Sequence, residues 1–406
     1  MPLLIHSLIL AQFALGQAAG LSIQDEVGDH AELSHKAGKH GRTIEVPVYN
    51  RLDKQHLEIE LTVGTPPQKF SIMPDTGSPF AWVPSASSPA CTPNCPLPVW
   101  NPNASSTALD IHVIFNASYG LTPDNIMLGE FYNDTIGVGG VALPQHPVAL
   151  VNVIDTIYDA QTWGIVGLGS QLQNRDVNGP VILWENLYRL GYISKRLFSV
   201  WLNSQDAKEG TILFGGIDES KAQGELKSTP LTSIIPTPAG DDFTAWSVSL
   251  TSLFRRDGQN GGDEPLINTS YNAILDTGSP NMYVPQDLYD TLAAPLNVTL
   301  RTYRNTSYVP CSLRSSPDSL HFGFAGKDGA EGPHVCVPYS EIIYPFGMPA
   351  NLGEVHSEDG TELCYLGVLS NNGSGIFLLG NSFIRSAYVV YDADDLELQI
   401  AQSRWE

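Results

Sequence analysis

Apolar residues along this chain alternate with polar ones over short stretches, and the stretches are cut by Gly, Pro, Asn and Asp. Leu57, Ile59, Leu61 and Val63 occupy every second position of LEIELTV. That period-2 pattern predicts a half-buried β-strand. Gly64-Thr65-Pro66-Pro67 ends it in a turn, and Phe70 and Ile72 open a second strand that runs to Asp75. The same grammar recurs in IEVPVYN, IHVIFNASYG, EFYNDTIGVGGV, HPVALVNVI, GTILFGGI, TAWSVSLTSLF and AYVVYDADDLELQIA. Helical spacing is rare. VILWENLYRLGYI (181–193) repeats apolar residues at i, i+3 and i+4, with Gly191 near its end, and QDLYDTLAAPL (286–296) is a shorter second case. The pattern predicts a mostly β protein.

Length and composition sharpen this. The 406 residues suffice for more than one hydrophobic core, and aromatic and β-branched residues are too frequent for a disordered chain. The net charge of −22 argues against nucleic acid or anionic membranes as partners, because phosphate recognition needs basic clusters. The charge fits simple solubility, and it equally fits adaptation to acid, where a chain poor in Lys and Arg avoids a large positive self-repulsion once its carboxylates are neutralised.

The N-terminal MPLLIHSLILAQFALGQAAG has an apolar run from Leu3 to Leu15 followed by small residues, and residues 1–18 read as a secretory signal peptide. No later run is long enough to span a bilayer, so no membrane anchor is expected and the protein is expected to be secreted and extracellular. Seven Asn-x-Ser/Thr sequons, at Asn103, Asn116, Asn133, Asn268, Asn297, Asn305 and Asn372, fit that route as glycosylation sites. Of the five cysteines, Cys91 and Cys95 sit in the turn-rich PACTPNCP and are expected to close a small disulfide loop. Among Cys311, Cys336 and Cys364, an oxidising compartment leaves one pair and one thiol. No Cys/His pair accompanies Cys91 and Cys95 to make a zinc site, and no metal is expected.

One phrase occurs twice. PDTGSPFAWVP (74–84) and LDTGSPNMYVP (275–285) agree at seven of eleven positions. Each is followed by two apolar residues and a Gly: Ile165-Val166-Gly167 and Leu378-Leu379-Gly380, the Gly standing 92 and 104 positions after its Asp. Two matched units at that distance imply two similar lobes rather than a short-period array. A single Asp-Thr-Gly-Ser is an ordinary turn. Two of them, related by a pseudo-two-fold axis, bring Asp75 and Asp276 face to face. Two carboxylates that close cannot both ionise, so they share a proton. The ionised member then takes a proton from a water between them, and the protonated member donates to a carbonyl under attack.

These motifs resemble those of pepsin-type aspartic proteases, within them the secreted fungal candidapepsin and yapsin-like branch. The resemblance extends from about Thr43 to the end and includes LTVGTPPQKF, both DTGS loops, GIVGLG, FLLGNSFIRSAYVVYD and the linking LFGGIDESKAQGELKSTPL. It implies a bilobal fold of two pseudo-symmetric, β-barrel-like lobes around a cleft, with residues 19–42 as a short propeptide, 43–217 as the N-terminal lobe and 218–406 as the C-terminal lobe. It implies Asp75 and Asp276 as the catalytic pair, supported by Thr76, Gly77, Ser78, Thr277, Gly278 and Ser279. VIFNASYG supplies a flap tyrosine, Tyr119, with Gly120 beside it and Trp82 as its hydrogen-bond partner. On such a strand Asn116 faces away from Tyr119, and a glycan there points out of the cleft. VPCSL and ELCYLGV imply the pair Cys311–Cys364, leaving Cys336 odd. Pro74 departs from the family pattern, and the extended backbone there is expected to tolerate it. Lys36, Lys39 or Arg42 is expected to dock near the ionised pair in a zymogen. The expected activity is that of an aspartic endopeptidase, a monomer acting on polypeptide substrates at acid pH with water as nucleophile and no cofactor. The alternative is a catalytically weak, protease-like peptide-binding protein. A glycosidase also uses two carboxylates but has no other support here, and neither Gly-x-Ser-x-Gly nor His-Glu-x-x-His occurs.

Overall fold

A computed structural model describes residues 37–38, 41–88, 98–119, 126–153, 164–170, 181–233, 235–237, 240–242, 245–301 and 306–406. The expected signal peptide, Cys91, Cys95, Gly120, Asn305, Lys36 and Lys39 lie outside the described residues. Strands dominate, as the alternation predicts. Leu57, Ile59, Leu61 and Val63 of strand His56–Val63 are all buried, and the strand pairs antiparallel with Gln68–Asp75. Gly64, at a φ of 93°, makes the turn out of it, a conformation that a side chain disfavours.

The same four-strand arrangement occurs in each half. Gln68–Asp75 runs parallel to Ile165–Gly167, which is crossed by antiparallel Trp82–Pro84, itself parallel to Val141–Val153. Tyr271–Leu275 runs parallel to Phe377–Leu379, crossed by antiparallel Met282–Val284, itself parallel to Val368–Ser370. In both, the strand carrying the apolar-apolar-Gly motif is inserted between the strands that flank the DTGS loop. The repeat is therefore structural, and the fold is mostly β and bilobal.

A sheet shared between the halves joins them. Six of its strands run in the order Ala222–Pro230, Glu397–Ser403, Ala387–Asp392, Leu197–Trp201, Glu209–Phe214, Ile44–Arg51, each antiparallel to the next, and the sheet continues from there through His56–Val63 into the N-terminal half. The pairing of Ser199 with Val390 crosses the boundary expected at 217/218. Phe198, Phe214 and Tyr391 of this sheet pack with Trp184 and Trp246 into an aromatic cluster. The edge-to-face pairs of Trp246 with Phe198 and Tyr391 and the stacked Phe198–Tyr391 pair add about 0.5–1.5 kcal/mol each to the burial itself.

The helix expected over 181–193 spans Leu183–Arg189. It stops there because Leu190 and Gly191, the latter at a φ of 73°, turn the chain back so that the Tyr192 amide donates to the Leu187 carbonyl. The second helix, Gln286–Ala293, continues as a 3-10 turn to Leu296. Among the described residues no helix is long and apolar enough to cross a membrane.

Candidate active site

Asp75 ends its strand, with its carbonyl accepting from the Leu168 amide at 2.7 Å. The Met73 amide faces the same neighbour, donating to Gly164 at 3.2 Å. Alternate residues of a strand direct their backbone groups to opposite sides, so Pro74 faces away from that neighbour. The ladder on that other side has already ended at Ile59 and Ile72. Proline therefore forfeits no ladder bond, and its carbonyl is used: it accepts from the Thr277 hydroxyl at 2.9 Å.

The two DTGS loops grip each other. The Thr76 amide donates to Thr277 Oγ1 at 3.1 Å, and the Thr277 amide donates to Thr76 Oγ1 at 3.0 Å. The Thr76 hydroxyl in turn donates to the Leu275 carbonyl at 2.9 Å. Both threonines are fully buried. Each glycine then admits the opposite acid. A Cβ at Gly77 would lie 2.7 Å from Asp276 Cγ, and one at Gly278 would collide with Asp75 Oδ1. The two carboxyls are thereby coupled, each shifting the pKa of the other.

Their surroundings differ. Asp75 accepts from the Gly77 amide at 2.8 Å and from the Ser78 hydroxyl. Burial pushes its pKa up, while the Ser78, Asp276 and Gly77 bonds oppose the rise. Asp276 accepts from the Gly278 amide at 2.8 Å and bonds Ser279. Burial and then the charge of Asp75 raise its pKa well above the ordinary carboxylate value. Burial thus pushes both carboxyls up, and the pair is built to hold one proton between them.

The apolar-apolar-Gly motifs press against the backs of the loops. A Cβ at Gly167 would strike the Pro79–Phe80 backbone, and one at Gly380 would strike the carbonyls of Ser279 and Asn281. The Gly169 amide donates to Ser78 and the Asn381 amide to Ser279, at 2.9 and 2.8 Å. The Asn381 side chain also donates to the Thr277 carbonyl at 3.1 Å. Asn381 is missing from the expected set, although its place directly after Leu378-Leu379-Gly380 signals it.

Trp82 Nε1 donates to Tyr119 Oη at 3.1 Å. Both belong to a small apolar cluster with Phe80, Phe115, Phe131, Ile165 and Met73. Asn116 is exposed on the opposite face of its strand. Asn103, Asn268, Asn297 and Asn372 are exposed and Asn133 half-buried. Cys311 and Cys364 form a disulfide, and Cys336 is a half-buried free thiol. Arg42 is engaged elsewhere than at the acids, its guanidinium donating to the Gly191 carbonyl at 2.8 Å.

Two crossed Asp-Thr-Gly-Ser loops on a duplicated β framework define an aspartic peptidase class of site. Residues 57–403 match the family model described as eukaryotic aspartyl protease, and the chain belongs to that family. It is 31% identical over 354 residues to the probable aspartic-type endopeptidase OPSB of Arthroderma benhamiae, covering 85% of this chain and 68% of that one. It is 30% identical over 392 residues to candidapepsin-3 of Candida albicans, covering 93% and 86%. Aspartic proteinase yapsin-3 of Saccharomyces cerevisiae is 27% identical over 394 residues, covering 93% and 71%.

Proposed function

We propose that this protein is a secreted aspartic endopeptidase in which Asp75 and Asp276 activate a water molecule against a peptide carbonyl at acidic pH. One observation carries the reading: each loop's glycine leaves room for the other loop's carboxyl, so the two acids meet. Asp75, ionised and held by Ser78 and Gly77, takes a proton from water as its oxygen bonds to the carbonyl carbon. Asp276 gives its proton to the carbonyl oxygen. The resulting diol collapses as the C–N bond breaks, the amine leaves protonated, and the pair recovers its single proton. No metal or cofactor enters these steps. Tyr119, tied to Trp82, closes over the peptide, and the apolar cluster with Met73 and Ile165 favours an apolar side chain beside the cleaved bond. Secretion is supported by the Leu3–Leu15 run and its small-residue sequel, and by a relative named secreted aspartic protease 3, from Candida albicans.

The test is hydrolysis of denatured haemoglobin and a quenched peptide by the wild type, Asp75→Asn and Asp276→Asn, from strong acid to neutrality, with and without a statine-type transition-state mimic. The wild type should cleave best in acid and be blocked by the mimic. Both variants should lose activity by at least about a thousandfold. Tight binding of the mimic without cleavage would instead identify a peptide-binding protein.

A further inference from the structure

Beyond the threonine grip, we propose that Trp246 is a positioning residue that ties the strand carrying Asp276 to the segment behind Asp75. This rests on the peptidase reading above. The Trp246 carbonyl accepts from the Leu275 amide at 3.0 Å, and its indole Nε1 donates to the Leu168 carbonyl at 2.9 Å. Leu168 donates its own amide to Asp75 at 2.7 Å, and Leu275 accepts the Thr76 hydroxyl at 2.9 Å. A closed circuit results: Asp75, Leu168, Trp246, Leu275, Thr76 and back through the peptide bond to Asp75. It passes between the two loops twice, once through the grip and once through the indole. One tie fixes a distance, whereas two separated ties also fix an angle, and the angle sets how the carboxyls face each other.

The indole is held for this purpose. Trp246 is 1% exposed. Its ring meets Tyr391 edge-on at 5.4 Å and Phe198 edge-on at 6.0 Å, while those two rings stack on each other at 4.8 Å. Leu168 is also fully buried, so its carbonyl has the indole N–H as donor where water does not reach.

Trp246→Phe keeps an aromatic ring and removes the N–H. Trp201→Phe serves as control: that indole is likewise buried and donates to a carbonyl, Arg404 at 3.0 Å, away from the acids. Both variants should melt at lower temperature. Only Trp246→Phe should lose kcat, by about tenfold with KM little changed, and draw together the two apparent pKa values of its pH profile as the carboxyl coupling loosens. A wild-type kcat and pH profile in Trp246→Phe, or the same losses in Trp201→Phe, would overturn the proposal. Should Trp246→Phe not fold, exchange of the Trp246 indole proton in the wild-type protein takes its place. Binding of the statine-type mimic should slow that exchange, and an unchanged rate would overturn the tie. A wild type without mimic-sensitive cleavage would remove the peptidase reading itself, a different result from either.

Discussion

Thr76 and Thr277 each set a hydroxyl under the other's backbone amide, at 3.0 and 3.1 Å, and each hydroxyl in turn donates a hydrogen bond to a carbonyl on the opposite strand, Leu275 or Pro74. Four hydrogen bonds in a buried setting thus register two strands that lie 201 residues apart in sequence. Thr277→Val has nearly the same shape but leaves the Thr76 amide and the Pro74 carbonyl without partners. Each buried orphan costs about 1–3 kcal/mol. The variant should melt several degrees lower and lose most of its kcat, while Thr277→Ser should stay near wild type in both. Calorimetry and initial rates check this.

Gly77→Ala should abolish cleavage while the protein remains folded. The new methyl would stand 2.7 Å from Asp276 Cγ, so the opposing carboxyl must move. Ala at Gly140, where a Cβ meets nothing within 4 Å, offers the contrast. Its φ of 81° makes it cost stability but not activity. Comparing kcat with melting temperature for the two variants separates the cases.

The acid pair should also contribute more to stability in acid than at neutrality. Asp276 has a folded-state pKa raised well above 3.8 by burial and by Asp75. A raised folded pKa means the folded state holds the proton more tightly. The resulting stabilisation is full below 3.8 and is lost as pH rises through the folded value. Asp276→Asn has no proton to lose. Its melting temperature should therefore gain on the wild type progressively as pH rises, and parallel curves would refute the assignment of the proton.

The disulfide between Cys311 and Cys364 closes a sequence separation of 53 residues. On the chain-entropy estimate this is worth about 4 kcal/mol. Replacing both cysteines with Ala should lower the denaturant midpoint accordingly, with KM little affected, since neither residue belongs to the DTGS loops.

Much of this was legible in the sequence because the chemistry is local in it. The paired DTGS phrases, the apolar-apolar-Gly motifs and the period-2 strands each occupy a few consecutive residues, and the alternation of Leu57 to Val63 carries straight into buried positions. The shared sheet was not legible. Leu197–Trp201 and Ala387–Asp392 both read simply as apolar strands, and nothing in either names the other as its neighbour. Trp246 was hidden for the same reason. In TAWSVSLTSLF it looks like one more strand aromatic, and its place depends on a carbonyl 78 residues away. The helix over 181–193 was overextended because Leu190 continues the apolar spacing through the residue where Gly191 turns the chain.

The shared sheet carries a consequence for how such a molecule can be divided. A cut in the link near 217 would yield two fragments, each bearing one acid and one raw edge of what had been a continuous ladder between Leu197–Trp201 and Ala387–Asp392. Neither fragment could cover its edge alone, and neither could hydrolyse a peptide. Mixed, they would have every reason to find one another: the single chain is, in its bonding, a pair of subunits that were never released.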